Sequence, residues 1–311
     1  MSAAPDESAA ADSEPTRCGF VAVIGAPNAG KSTLVNMLVG AKIAIVTPKV
    51  QTTRTRLLGI ALHGQAQIVL VDTPGIFRPK RRFERAMVKA AWKGASDADE
   101  IVLLVDANAS PPEPETLDIV AGLKQAGRTA ILALNKADQA PRQNLLELAQ
   151  SLGAEGIFTD TFMISALTGD GVADLKEALA SRLPEGPWLY PEDQISDAPM
   201  RFLAAEITRE KLFLQLHQEV PYATMVETES WEEFQDGSLK LSQIIYVQRE
   251  GQKAIVLGKA GARIRSVRLA AQSELEAMLG RKVHLFLFVK LREHWSDDPH
   301  LYREMGLDYE P

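Results

Sequence analysis

Two glycines, an asparagine, a lysine and a hydroxyl lie within eight positions at Gly25-Ala26-Pro27-Asn28-Ala29-Gly30-Lys31-Ser32, directly after the apolar run Phe20–Ile24. Residues of these types at this spacing can hold a polyphosphate. Glycines let consecutive backbone N–H groups turn inward around oxyanions, the lysine adds a point charge at the β/γ end, and Ser32, opening the next helix, offers a ligand to Mg2+. Gly25, Asn28, Ala29, Gly30, Lys31, Ser32 and Thr33 are therefore predicted to contact a nucleotide. Alone, the pattern leaves ATPase, GTPase and small-molecule kinase open.

Three further segments follow, each at the end of an apolar run. Ile68–Val71 empties into Asp72-Thr73-Pro74-Gly75, Ala130–Leu134 into Asn135-Lys136-Ala137-Asp138, and Phe162–Ile164 into Ser165-Ala166-Leu167. In an open parallel sheet the ligand lies outside the carboxyl ends of the strands, so the four loops must share one edge. Singly, Asp-Thr-Pro-Gly is an ordinary turn and Asn-Lys-Ala-Asp an ordinary helix cap. Their order argues otherwise. Asp138 selects the base: guanine offers N1–H and N2–H2 as adjacent donors to the two oxygens of an ionised carboxylate. Adenine has an acceptor at N1, and such buried mismatches discriminate by about 10⁴–10⁵. Asn135 is expected to support the base and tie its loop to the phosphate loop, and the Ala166 N–H to reach the base oxygen O6. GTP or GDP is the predicted ligand.

Between these motifs, Thr47-Pro48-Lys49-Val50-Gln51-Thr52-Thr53-Arg54 is polar and hydroxyl-rich, as a segment ordered by γ-phosphate and Mg2+ would be. Thr53, or the neighbouring Thr52, is expected to join Ser32 on the metal. Asp72 would hold Mg2+ through water, and the Gly75 N–H would face the γ-phosphate. Lys31, Thr53 and Gly75 are the predicted catalytic set. Ras-like enzymes place a glutamine after that glycine to orient water; Ile76 has no group for the task. Slow intrinsic hydrolysis follows, with the Asn28 amide oxygen a candidate ligand for K+.

The elements that position these loops are legible too. Helical patterns at Phe83–Gly94, Pro114–Gly127 and Val172–Leu183 alternate with strands, Ile101–Val105 among them, which predicts a doubly wound, mostly parallel α/β sheet. Three prolines within Pro184–Pro191 predict a stiff linker. Beyond it the pattern becomes α+β: a helix at Arg201–Leu216, strands at Val220–Glu227 and Ile244–Arg249, and Gly258-Lys259-Ala260-Gly261. A helix at Ala262–Leu279 and a strand at Val283–Lys290 follow. This is the element order of a type II KH module, whose Gly-x-x-Gly loop clamps about four single-stranded nucleotides. From Gly251 to Ser273 the chain carries Lys253, Lys259, Arg263, Arg265 and Arg268 and no acid, as phosphate contacts require.

Composition sets bounds. The 311 residues suffice for two cores, and 46% hydrophobic with 24% charged residues is ordinary for a globular protein. A single cysteine, Cys18, excludes an internal disulfide framework and fits a reducing compartment. No signal peptide and no apolar run long enough to span a bilayer is expected. Net charge is −7, but residues 1–16 and 294–311 each carry −4, leaving the intervening 277 near +1. The predicted organisation is a disordered leader at 1–16, a GTP-binding domain at 17–183, a linker at 184–198, a KH domain at 199–293 and a solvated acidic tail at 294–311.

The chain from about Arg17 to Tyr309 resembles the Era family of bacterial Ras-like GTPases with a C-terminal KH domain. The resemblance is carried by Gly25–Thr33, Gln51-Thr52-Thr53-Arg54, Asp72–Gly75, Asn135–Asp138, Ser165-Ala166-Leu167, Pro221-Tyr222, Arg249-Glu250-Gly251-Gln252-Lys253 and Gly258–Gly261. It implies binding to the 3′ end of small-subunit (16S) ribosomal RNA and assistance in assembly of the 30S subunit. It also implies a cytoplasmic protein with peripheral association to the inner membrane, and a hydrophobic residue replacing the catalytic glutamine, as Ile76 does. A monomer is expected. Departures are the leader before Arg17 and Ala260, where relatives often carry glycine or lysine. A membrane-associated regulatory GTPase and a GTP-dependent RNA-modification factor are the competing classes.

Overall fold

A computed structural model describes residues 15–49, 52–217, 220–293 and 295–309; nearly all of the expected leader, along with Val50 and Gln51, lies outside them. The first part runs β1 (Arg17–Gly25), α1 (Lys31–Val39), β2 (Leu57–His63), β3 (Ala66–Asp72), α2 (Arg82–Asp97), β4 (Glu100–Asp106) and α3 (Pro114–Gln125). It continues through β5 (Ala130–Asn135), α4 (Arg142–Gly153), β6 (Phe158–Met163) and α5 (Val172–Arg182). The strands lie in the order β2-β3-β1-β4-β5-β6. All pairs are parallel except β2 with β3, because the short Gly64-Gln65 turn between them leaves no room for a crossover. The inner strands are apolar on both faces, as helices covering both sides require. Leu34, Leu38, Leu175 and Leu179 of α1 and α5 pack on one face; Ala91, Ile119 and Leu148 of α2, α3 and α4 pack on the other.

The segment expected to be a linker is held against this sheet. Glu185 bridges to Arg17 and Ser196 to Gly59. Gln67 Oε1, on fully buried Gln67, accepts from the Leu189 and Tyr190 N–H groups at 2.9 and 3.0 Å.

The second part comprises α6 (Met200–Gln215), β7 (Met225–Glu233), β8 (Leu239–Val247), α7 (Glu250–Leu257), α8 (Ala262–Leu279) and β9 (Val283–Leu291). Its sheet runs β7-β8-β9, antiparallel then parallel. The strand expected from Val220 begins only at Met225, because Pro221–Ala223 forms a 3-10 turn. Helix α8 occupies the predicted range and buries Val267, Ala271 and Leu275, while Met278 stays exposed.

The acidic tail does not float. Trp295, Leu301, Tyr302 and Leu307 are buried, and α9 (Pro299–Glu304) carries part of them across the domain boundary. Phe83 of α2 meets the Trp295 and Tyr302 rings edge-on at 5.9 and 5.6 Å, and Met87 packs in the same cluster. Asp297 and Asp308 remain on the solvent side. A charge count misses this because the apolar and acidic residues separate by face.

Candidate nucleotide cleft and RNA loop

The loops after β1, β3, β5 and β6 meet at one sheet edge around a cleft of about 930 Å3. It is lined by Asn28, Gly30, Lys31, Ser32, Thr33, Thr53 and Gly75 at one end and by Asn135, Lys136, Asp138, Ser165, Ala166 and Leu167 at the other. Gly25, Ala29, Asp72, Thr73 and Pro74 stand behind that wall. Thr73 Oγ1, for example, donates to the Val23 carbonyl at 2.9 Å within the sheet. Asp106, Glu113 and Glu115 also line the cleft and were not predicted. Asp106 could have been found, since it ends the apolar run of β4.

Two glycines cannot be replaced. Gly30 has φ +100, and a Cβ there would lie 2.3 Å from Asn135 Nδ2; at Gly25 a Cβ would lie 2.4 Å from the Leu104 carbonyl oxygen. The close approach at Gly30 lets Asn135 act as a tie. Its Nδ2 donates to the Ala29 carbonyl at 2.7 Å, and its Oδ1 accepts from the Ala166 N–H at 2.9 Å. The phosphate loop and the β6 loop are thereby joined through one side chain. The Ala166 N–H is thus engaged by Asn135 rather than open to the cleft.

At the phosphate end, Lys31 is buried and donates to the Gly25 and Ala26 carbonyls at 3.2 and 2.8 Å. Burial, opposed by the Asp72 charge, pushes its ammonium down to about 8. Ser32 Oγ lies 2.8 Å from Thr53 Oγ1 and donates to Asp72 Oδ2 at 2.8 Å, and Thr53 donates to the same oxygen at 3.3 Å. Thr52 faces elsewhere, 2.7 Å from Thr47 Oγ1. Asp72 is fully buried, its Oδ1 has no partner among the described residues, and burial pushes its carboxyl up to about 6. Two hydroxyls and a carboxylate with an unused oxygen are a hard-oxygen set of the kind Mg2+ takes.

Gly75 approaches the phosphate loop closely: a Cβ there would sit 3.0 Å from the Pro27 backbone. The next residue turns away. Ile76 donates its N–H to the Gly25 carbonyl at 3.1 Å and buries its side chain with Ala22, Ile24 and Ala91. At the base end, the Ser165 hydroxyl beside Asp138 holds its carboxyl below the usual range, so it is ionised at neutral pH. Lys136, in the left-handed region at φ 65, sets its Nζ 2.5 Å from Asp106 Oδ2.

The segment that carries Thr53 is built into the second domain. Arg54 is 5% exposed and donates to the Thr224, Tyr222 and Pro221 carbonyls at 2.7, 3.0 and 3.3 Å. Its guanidinium lies 5.6 Å from the Phe213 ring centre and 5.5 Å from that of Trp295. Lys49 donates to the Phe213 and Leu216 carbonyls at the end of α6, where a cation also suits the helix dipole. Arg209 of α6 donates back to the Thr52 carbonyl, and Glu210 accepts from the Val46 N–H at 2.9 Å.

The predicted RNA residues surround the α7–α8 turn. Gly258 has φ +71, and a Cβ there would meet Arg263 Cβ at 2.7 Å, so this glycine is demanded by the turn itself. Ala260 sits at φ 50, a left-handed conformation costing a residue with a Cβ about 1–2 kcal/mol. Lys259 and Arg265 are exposed. Arg263 donates to the Ile255 carbonyl at 3.0 Å, Arg268 to Gln272 at 2.9 Å, and Lys253 lies 3.9 Å from Glu250.

The family described as 50S ribosome-binding GTPase matches residues 20–136, and the KH domain family matches 219–296. A curated protein of Rhizobium meliloti named GTPase Era is 60% identical over 300 residues, covering 96% of each chain. One from Afipia carboxidovorans with the same name is 56% identical, over 98% of this chain and 99% of its own. Among solved structures, Era in complex with MgGDPNP and nucleotides 1506–1542 of 16S ribosomal RNA superposes with a TM-score of 0.88 at 37% identity. It covers 95% of this chain and 100% of its own. A point variant of Aquifex aeolicus Era bound to GDP·AlF4− gives the same values.

Proposed function

The chain belongs to the Era family and is a GTPase; we propose that it works as a GTP-gated clamp on the 3′ end of small-subunit (16S) ribosomal RNA and assists assembly of the 30S subunit. The observation that carries the gating is the placement of Arg54. It directly follows Thr53, whose hydroxyl lies 2.8 Å from Ser32 Oγ and donates to Asp72 Oδ2, yet its guanidinium is buried among carbonyls of the KH domain. Whatever moves Thr53 must move that plug.

Asp138 pairs with the guanine N1–H and N2–H2, Asn135 fixes the base loop to the phosphate loop, and the Gly30–Thr33 amides face the phosphates. Lys31 leaves the Gly25 and Ala26 carbonyls and turns to the β/γ oxygens. Ser32 and Thr53, with Asp72 through water, would hold Mg2+, which neutralises charge on the β- and γ-phosphates. The Gly75 N–H faces the γ-phosphate. With Ile76 in the core, no side chain at that position orients water, so turnover without a partner is slow. Asn28, left-handed at φ 64 on the cleft wall, would hold K+ through its amide oxygen, and the ion would add positive charge beside the phosphates; equal turnover in potassium and sodium buffers would remove that part.

With GTP, Thr53 is drawn to the metal and its neighbours hold α6, through Lys49 and Arg54 on one side and Arg209 and Glu210 on the other. Helix α6 packs on α8, which leads out of the Gly258–Gly261 loop, so hydrolysis alters RNA affinity at Lys253, Lys259, Arg263, Arg265 and Arg268. The chain acts as a cytoplasmic monomer with peripheral membrane contact; no helix among the described residues is long and apolar enough to cross a membrane.

The test measures affinity of the full chain for a single-stranded 16S 3′-end oligonucleotide, with a non-hydrolysable GTP analogue and with GDP. Unequal affinities are expected, with Lys259→Glu weakening binding in both states. Identical affinities would end the gating proposal. Gly258→Asp is unsuitable because it breaks the turn. Separately, Asp138→Asn is expected to prefer xanthosine nucleotides, and unchanged GTP binding would overturn the base assignment.

A further inference from the structure

We propose that the seam between the two domains holds a binding site for a small organic monoanion, a carboxylate carried on an apolar body. The site lies outside both the nucleotide cleft and the RNA loop and goes beyond the function proposed above. A cavity of about 280 Å3 opens there between α6, β7 and the Arg54-Thr55 step. It sits at the lower limit of ligand pockets, which span about 300–1,000 Å3, so a nucleotide is too large and a small acid is the right scale.

Charge selects the ligand. Arg54, Arg201 and Arg209 line the cavity with Glu206 and Glu227, a formal excess of one positive charge. Two of the three guanidiniums are buried, Arg54 at 5% and Arg209 at 2% exposure. Arg54 spends its donors on main-chain carbonyls. Arg209 gives Nε and Nη2 to Glu206 and Nη2 also to the Thr52 carbonyl, while its buried Nη1 has no acceptor among the described residues. The Phe213 ring lies 5.6 and 5.0 Å from the two guanidiniums, which offsets part of the charge but satisfies no N–H. The Arg209 charge is met by Glu206, but a buried N–H without an acceptor is costly, and an entering carboxylate would supply the missing acceptor in a charge-assisted bond. Phe202, Met225, Val226 and Met305 form the apolar wall against which its body would lie. Inorganic phosphate has no such body.

The test titrates the full chain, saturated with GDP and Mg2+ so that the nucleotide cleft is filled, with benzoate, benzyl alcohol and inorganic phosphate, followed by ligand-observed NMR. Benzoate is expected to saturate and to bind at least about tenfold more tightly than either control, about 1.4 kcal/mol. Arg209→Met should erase that advantage. Arg201→Ala, at the exposed mouth, should weaken benzoate about threefold or more without lowering the melting temperature, and it decides the matter if Arg209→Met does not fold. Benzoate binding no tighter than benzyl alcohol or phosphate, or well-folded variants that bind benzoate like the parent, would overturn the proposal.

Discussion

Replacing Arg54 by methionine separates the switch from the RNA clamp. The methionine keeps an unbranched stem between Phe213 and Trp295 but removes every donor, stranding the carbonyls of Pro221, Tyr222 and Thr224. Hydrogen bonds from a charged group are worth about 1.5–3 kcal/mol each, and removing one side of a buried charged network costs about 3–5 kcal/mol. Coupling between two sites is ordinarily about 1–3 kcal/mol, or 5–150-fold. The loss therefore exceeds the whole coupling. Arg54→Met should bring the ratio of RNA affinities in the two nucleotide states to about one, while GDP binding persists, because Arg54 is not among the residues lining the nucleotide cleft. Arg54→Lys keeps the charge without the fork and should fall between. Fluorescence anisotropy of a labelled 3′-end oligonucleotide, with each nucleotide in turn, reads both quantities. An Arg54→Met chain that retains the parent ratio would refute this route between the domains.

Other outcomes follow from single side chains. Ile76→Gln should not confer fast hydrolysis, because the new amide lands among Ala22, Ile24 and Ala91; it should instead destabilise the fold by about 1–3 kcal/mol, and a tenfold gain in turnover would contradict the placement. Lys31 gives a pH signature. Its folded value of about 8 lies below its ordinary 10.5, so the nucleotide-free chain binds fewer protons than the unfolded one between those values, and its stability rises with pH across that window. GDP binding restores the charge, so calorimetry at pH 8.5 in buffers of different ionisation enthalpy should show proton uptake; none would mean the free lysine is already charged. Trp295→Ala should cost about 3–5 kcal/mol and lower the melting temperature, an effect a solvated tail would not produce.

The nucleotide cleft was legible because each of its loops follows an apolar strand, and such a strand can end only at a sheet edge. Asn135 shows the reach of that reasoning: its tie between loops followed from residue type and position. The antiparallel β2 was less visible, since Leu57–His63 is apolar enough for either direction and only the short turn at Gly64 decides it. The seam was not legible. Arg54 reads as one more polar residue in a loop, and nothing local predicts that carbonyls some 170 positions later will surround it. The tail misled for another reason. Trp295, Leu301, Tyr302 and Leu307 are spaced to cover a surface, but that surface, the start of α2, belongs to a distant stretch of chain.

Synthesis order gives the C-terminal strap a consequence of its own. The nucleotide-binding half emerges from the ribosome first and can fold as a unit, whereas Trp295 and Tyr302 are made only after the KH domain. Until they arrive, Phe83 and Met87 have nothing over them and Arg54 lacks one of its two aromatic neighbours. A nascent chain can therefore hold guanine nucleotide before it can report that nucleotide to its RNA half.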